Sequence, residues 1–159
     1  MQLQSNKILF TGVLAYIGTP SNKPPSGARG HRVLLTSEAA LEALPTLPGC
    51  NVNYTENGHR IDLKHGIIEE AVILDDMLVV SGYLYKDKLS ELSPELIPHL
   101  EANAALYGMS YELIDAHVSN LRAEIWELTK VTFVGAAVLL KHCAAYENTT
   151  FCISTKEAL

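Results

Sequence analysis

The chain has 159 residues, of which 48% are hydrophobic and only 19% are charged, a balance that favours one folded domain and excludes a disordered chain. Its net charge of −6 gives no basic surface of the kind that binds nucleic acid or an anionic membrane. The three cysteines form no CxxC pair and no metal-like spacing, which indicates reduced thiols and no metal site. We therefore treat residues 1–159 as a single domain.

The first part of the chain predicts strands, a loop and a short helix. The apolar run in residues 7–17 is too short to span a bilayer and has the composition of a buried strand. Five Pro and Gly residues in segment 19–30 predict a surface loop, either a connector or a functional lid or docking arm. Residues 32–35 then predict a short strand, and residues 36–44 a helix with a Thr or Ser N-cap.

The second part of the chain has a stronger β pattern. Alternating apolar residues on both sides of Asp75-Asp76 predict a β-hairpin. The remaining predicted elements are a helix over 93–106, strands over 109–118 and 124–140, and a weakly β-like tail over 149–159. The prediction is an α+β fold: a small β-barrel of about seven mostly antiparallel strands with two or three surrounding helices.

Ser110 and His59 are the candidate catalytic pair. Ser110 opens a predicted strand two residues after Gly108, where a hydroxyl is held rigidly and a nearby backbone N–H can stabilise an oxyanion. His59 follows the tight-turn signal Asn57-Gly58, which suits a side chain that projects into a cleft. A serine nucleophile needs such a base to take its proton, and His65 is the rival for that role.

The order of these features resembles the tailed-phage prohead (capsid maturation) serine protease family. His59 is followed seven residues later by the Gly that opens a hairpin, and a short segment carrying the serine precedes a long closing strand. The match covers roughly Val52 to Ala145, and the segments that carry it are DDMLVVSG at 75–82, LYGMS at 106–110 and LTKVTFVGAA at 128–137.

The resemblance implies a fold, an activity and a setting. The fold would be similar to herpesvirus assemblin, and the activity that of a serine endopeptidase with Ser110 as nucleophile and His59 as general base. Its substrates would be segments of the phage scaffold and major capsid protein, and possibly of the protease itself. It implies no metal or organic cofactor, no nucleic-acid or membrane partner, and action in the host cytoplasm inside the assembling procapsid. Self-association into a homo-oligomer is left open.

The third catalytic member is the point of departure from the family. The family places an acid before the closing-strand Val, whereas this chain has Lys130 there, and a lysine cannot accept the imidazole N–H. Either another acid serves, or Ser110 and His59 act as a dyad, or a desolvated Lys130 is the base, or the site is inactive. The other acids available are Glu112, Asp115, Glu124 and Glu127.

Two other functions compete with the protease. One is a catalytically impaired structural protein of the same fold that binds capsid or scaffold. The other is an unrelated β-rich binding module that uses the segment 19–30 as its recognition arm.

Overall fold

The chain forms one curled sheet of eight strands with helices packed against it, in a computed structural model that describes residues 5–55 and 62–157. The strands are β1 (Lys7–Tyr16), β2 (Arg32–Leu35), β3 (Asn51–Tyr54), β4 (Gly66–Leu74), β5 (Met77–Tyr85), β6 (Tyr107–Val118), β7 (Ile125–Leu140) and β8 (Thr150–Glu157). The α-helices in these ranges are α1 (Ser37–Ala43), α2 (Lys86–Leu92) and α3 (Leu96–Ala102). The predicted α+β class is confirmed.

The long strand β7 organises the sheet around the candidate site. The strand order is β2-β7-β3-β4-β5-β1-β8, and β6 pairs with β7 outside this path. Because β3 and β6 both pair with residues 135–138, they must lie on opposite edges of β7. Only β2 and β3 run parallel to their partner β7, and the other pairings are antiparallel, as predicted.

The hydrophobic core fills the concave side of the sheet. Leu14, Ile68, Leu78 and Met109 are fully buried there, and burying each such side chain stabilises the fold by about 1.5–3 kcal/mol. Successive residues of a strand point to opposite faces, so the neighbours of core residues face away from the core. That second face of β6 and β7 carries the candidate site.

The predicted helix over 93–106 is only partly correct. Ser93 adopts an extended conformation and ends α2, which the sequence pattern did not predict, and α3 begins at Leu96. The short α2 buries one residue, Leu89, and its first turn is held by Asn6, whose Nδ2 donates to Asp87 Oδ1 at 2.8 Å. Asn6 and Asp87 are 81 residues apart, so their hydrogen bond leaves no pattern in the local sequence from which α2 could be predicted.

The predicted surface loop 19–30 is held in place by hydrogen bonds, and the weakly β-like tail forms a strand. The segment 19–30 is fixed by Ser21, which is fully buried and whose Oγ accepts from Val33 N–H at 3.0 Å. Asn22 N–H donates to Ala145 O at 2.8 Å, so this segment is packed onto the domain rather than a free connector. The tail forms the edge strand β8 against β1. None of the helices in the described ranges is long and apolar enough to cross a membrane.

Candidate active site

Ser110 lies on β6, between the core residues Met109 and Tyr111, and so belongs to the face that turns away from the core. It is half-buried, and its cross-strand partner on β7 is Ala137. On the other edge of β7, Asn53 of β3 is also paired with Ala137. Ser110 and Asn53 therefore share a face, with Cα atoms roughly 10 Å apart across two strand spacings, and the residue between them on β7 is Ala137.

Glu112 belongs to the same face, two residues after Ser110 along β6. Its carboxylate is buried, and Asn53 Nδ2 donates to its Oε1 at 2.7 Å. The carboxylate crosses above Gly135 of β7, where an added Cβ would overlap Glu112 Oε2. Glycine at this position is thus required for the carboxylate to reach from β6 toward β3. The pairing of β6 with β7 also shifts in register next to Gly135, between Glu112 and Leu113.

Asn53 carries a hydrogen-bond acceptor, its side-chain Oδ1, that receives no hydrogen bond from any of the described residues. Its side chain is fully buried, and its Oδ1 has no hydrogen-bond partner among them. A buried acceptor left in this state costs about 1–3 kcal/mol, so such atoms usually meet a donor. Asn53 Oδ1 and the Glu112 carboxylate together form a buried pair of acceptors beside Ala137.

The structure separates Lys130 from Ser110. Lys130 is exposed and pairs with His117, seven residues along β6 from Ser110, which corresponds to roughly 20 Å. It can neither replace the orienting acid nor act as the base of a Ser–Lys pair there, and we assign it no part in the site. Of the four acids named from the sequence, Asp115, Glu124 and Glu127 are exposed, and Glu112 alone reaches the face of Ser110.

His59 lies outside the described residues, and its role as base stays a prediction. The described chain before it ends near the site, because Thr55 N–H donates to Val138 O at 3.0 Å. Val138 follows Ala137, the shared partner of Ser110 and Asn53.

The rival histidine, His65, has a structural role. It is buried, and its Nδ1 accepts from Tyr54 N–H at 2.8 Å at the end of β3. This contact fixes the neutral tautomer with the proton on Nε2. Burial, and then the charge of Lys88, lower the pKa of His65 below its ordinary 6.5, which keeps the ring neutral.

We expect the hydrogen bond from Tyr54 to weaken in acid. Because the pKa of His65 is lower in the folded than in the unfolded chain, its contribution to stability is complete above pH 6.5 and is lost as the pH falls through the folded value. For a bond worth about 1 kcal/mol, the hydrogen-exchange protection factor of the Tyr54 amide should fall about fivefold. The His65→Asn variant keeps an acceptor near Nδ1 without titrating, so its Tyr54 protection should be insensitive to pH. Protection that falls equally in both proteins would contradict this role.

One of the backbone N–H groups near Gly108 is already engaged in a hydrogen bond within the fold. Met109 N–H, next to Gly108, donates to Thr149 Oγ1 at 3.1 Å. Thr149 is fully buried, and an added Cβ at Gly108 would overlap its hydroxyl. This glycine therefore allows the close approach of Thr149, and the Met109 N–H is not free for a substrate.

An apolar cleft of about 540 Å³ lies near the serine strand, between the packed segment 19–30 and the far half of the β6–β7 hairpin. Its walls include Ala28, Tyr111, Leu113 and Trp126, and Glu112 also contributes. Tyr111 and Leu113 belong to the face opposite Ser110, so the cleft adjoins the site around the edge of β6. In the described ranges, no group of three or more His, Cys, Asp or Glu side chains could hold a metal ion.

Two residues of the site were not singled out in the sequence. Asn53 and Thr149 each lie in a tripeptide with the pattern of a glycosylation acceptor, a pattern that carries no catalytic information. The available signal was the spacing of Asn51 and Asn53, which puts two amides on one face of an otherwise apolar strand.

Comparison with known proteins supports the fold. No protein-family model matches the chain, and no curated protein matches its sequence. Among solved structures, the varicella-zoster virus protease matches with a TM-score of 0.50 and 16% sequence identity, over 94% of this chain. The chain spans 65% of the length of that protease. At this identity the likeness concerns the fold alone, and the chain has the assemblin-like α+β fold that the sequence predicted.

Proposed function

We propose that this protein is a serine endopeptidase in which Ser110 is the nucleophile and His59 the general base. The observation that carries the proposal is the arrangement around Ala137, where Ser110 and the buried acceptors Asn53 Oδ1 and Glu112 lie on one face of the sheet. The assemblin-like fold supports it independently.

The chain length between Thr55 and His59 is compatible with this role. His59 is four residues after Thr55, and an extended chain of that length reaches roughly 13–14 Å. Thr55 is hydrogen-bonded to Val138 O, next to Ala137. An imidazole above Ala137 would place one ring nitrogen toward Ser110 Oγ and the other toward Asn53 and Glu112.

The chemistry then follows the usual course of acyl transfer. His59 takes the Ser110 proton as Oγ attacks the scissile carbonyl, and returns it to the leaving amine. A water activated by the same histidine hydrolyses the acyl-enzyme. The oxyanion would be held by backbone N–H groups other than that of Met109, which is bonded to Thr149.

The substrate and setting proposed are those of a phage prohead protease. The order His59, hairpin, Ser110 and long closing strand supports this assignment, and the structure has the hairpin and the closing strand in the predicted places. The substrates would be scaffold and major capsid protein segments, cleaved in the host cytoplasm inside the assembling procapsid. The cleft beside Tyr111 and Leu113 would accommodate an apolar substrate side chain.

Labelling with a fluorophosphonate tests the reactivity of the serine. We expect a single adduct on Ser110, located by intact mass and peptide mapping, and no adduct in the Ser110→Ala variant. The matched control is Ser81→Ala, which removes a half-buried strand serine elsewhere in the sheet and should leave labelling unchanged. A folded protein that forms no adduct would overturn the proposal and favour the structural capsid-binding alternative.

A further inference from the structure

We infer that Glu112 is the positioning residue of this site: its carboxylate, supplied from the strand of the nucleophile and held by Asn53 above Gly135, orients the catalytic base. This inference rests on the proposed function and names the third member that the sequence left open. The family resemblance predicts an acid on the closing strand, and in this chain the acid comes from the neighbouring strand instead.

The first argument is the position of the carboxylate. Glu112 pairs with Gly135, two residues before Ala137 on β7, and Gly135 has no side chain of its own. Glu112 Oε2 lies where a Cβ at Gly135 would be, so the glutamate fills the side-chain space of the closing strand. An acidic side chain at position 135 of β7 would therefore put its carboxylate close to where the Glu112 carboxylate of β6 lies.

The second argument is the hydrogen bonding. The 2.7 Å bond from Asn53 Nδ2 fixes one carboxylate oxygen and leaves Asn53 Oδ1 as an acceptor without a partner among the described residues. Amide orientation is set by this bond, since a carboxylate can only accept. The pair therefore offers acceptors to a ring N–H, which is what holding an imidazole in the correct tautomer requires.

The third argument is charge. Burial, and then the negative charge of Glu112, raise the pKa of the Cys50 thiol above its ordinary value. Cys50 is therefore the titratable neighbour that senses this carboxylate, while the facing β7 positions Gly135 and Ala137 carry no titratable group. A carboxylate beside an imidazole stabilises the imidazolium that forms during catalysis.

The test compares the second-order rate constant of Ser110 labelling in four proteins. We expect Glu112→Gln to lower it by up to about 10⁴-fold relative to wild type, the loss seen when the orienting acid of a serine protease is removed. Glu112→Ala combined with Gly135→Asp vacates the space that the Glu112 carboxylate fills, returns a carboxylate to it from β7, and should recover at least tenfold over Glu112→Gln. Asp115→Asn removes an exposed acid from the same strand and should have no effect.

Two further readouts separate positioning from folding. The pH profile of labelling should shift to lower pH in Glu112→Gln, because the base loses the carboxylate that raises its pKa. Alkylation of Cys50 by iodoacetamide at pH 8.5 should become severalfold faster in the same variant, with Cys143 and Cys152 as internal references. This second readout does not depend on Ser110.

The outcomes distinguish this inference from the proposed function. If the wild-type protein is labelled and Glu112→Gln is labelled at the same rate, the inference is overturned and the Ser110–His59 pair acts as a dyad. Loss of labelling that Gly135→Asp does not recover, with an unshifted pH profile, would also overturn it. Absence of any wild-type adduct would overturn both.

Discussion

Replacement of His59 by alanine is expected to slow acylation of Ser110 by about 10⁴- to 10⁶-fold, because without a base the hydroxyl remains protonated and a poor nucleophile. The measurement is the rate of fluorophosphonate adduct formation, followed by intact mass under conditions that label wild type within minutes.

Two histidine variants serve as controls for this effect. His65→Asn preserves the acceptor for Tyr54 N–H and should label within about fivefold of wild type. His117→Ala removes an exposed residue paired with Lys130, far along β6, and should label like wild type. Loss of labelling in His65→Asn together with normal labelling in His59→Ala would reverse the assignment of the base.

Gly82→Ala is expected to be among the most destabilising single-methyl changes in the chain. Gly82 lies on the central strand β5, paired with Phe10 of β1 and with Ile68 of β4. An added Cβ would overlap the backbone carbonyl of Ile67 and stand 3.0 Å from Glu69 N. Both contacts are with backbone, at the point where the register of β4 shifts, so relief requires the strands to move apart.

The loss of stability in Gly82→Ala has two sources: the added methyl group overpacks the space between the strands, and moving the strands apart would strain their hydrogen bonds. We expect a loss of about 3 kcal/mol or more from a total stability of about 5–15 kcal/mol. Thermal unfolding should show a Tm lower by about 6–12 °C. The neighbouring Ser81→Ala variant, whose side chain is only half-buried, should change Tm by less than 2 °C. A Gly82→Ala protein with the Tm of wild type would mean that β4 and β5 are not held as closely as the structure has them.

The β-hairpin of β4 and β5 shows how far local sequence reaches. Buried and half-buried residues alternate along β5, and Asp75 has the positive φ of 55° that a tight turn uses. Period and turn chemistry are local properties, and the hairpin was predicted with its turn at the correct residues. The α1 cap was equally local, since Thr36 Oγ1 accepts from Ala39 N–H at 3.2 Å.

The third site residue could not be found in this way. The pairing of β6 with β7 contains register shifts, including one between Glu112 and Leu113, and each such shift changes which residues face each other. The family pattern matched to the closing strand led to Lys130, which pairs with His117 and not with Ser110. Nothing in the sequence near Glu112 indicates that Asn53, 59 residues earlier, donates to it.

The sequence by itself determined the α+β class, the hairpin and the two long strands, because periodicity and turn residues are read along the chain. It also predicts the pair Ser110 and His59 through the order of its motifs, and this pair stays a prediction. Tertiary structure alone decided which side chains share the face of Ser110. The pairing of β3 and β6 with β7 places Asn53 and Ser110 on either side of Ala137, and it brings the Glu112 carboxylate over Gly135. The physical reason is strand register: a shift of one residue turns every side chain of a strand to the other face, and register is fixed by packing across the whole sheet.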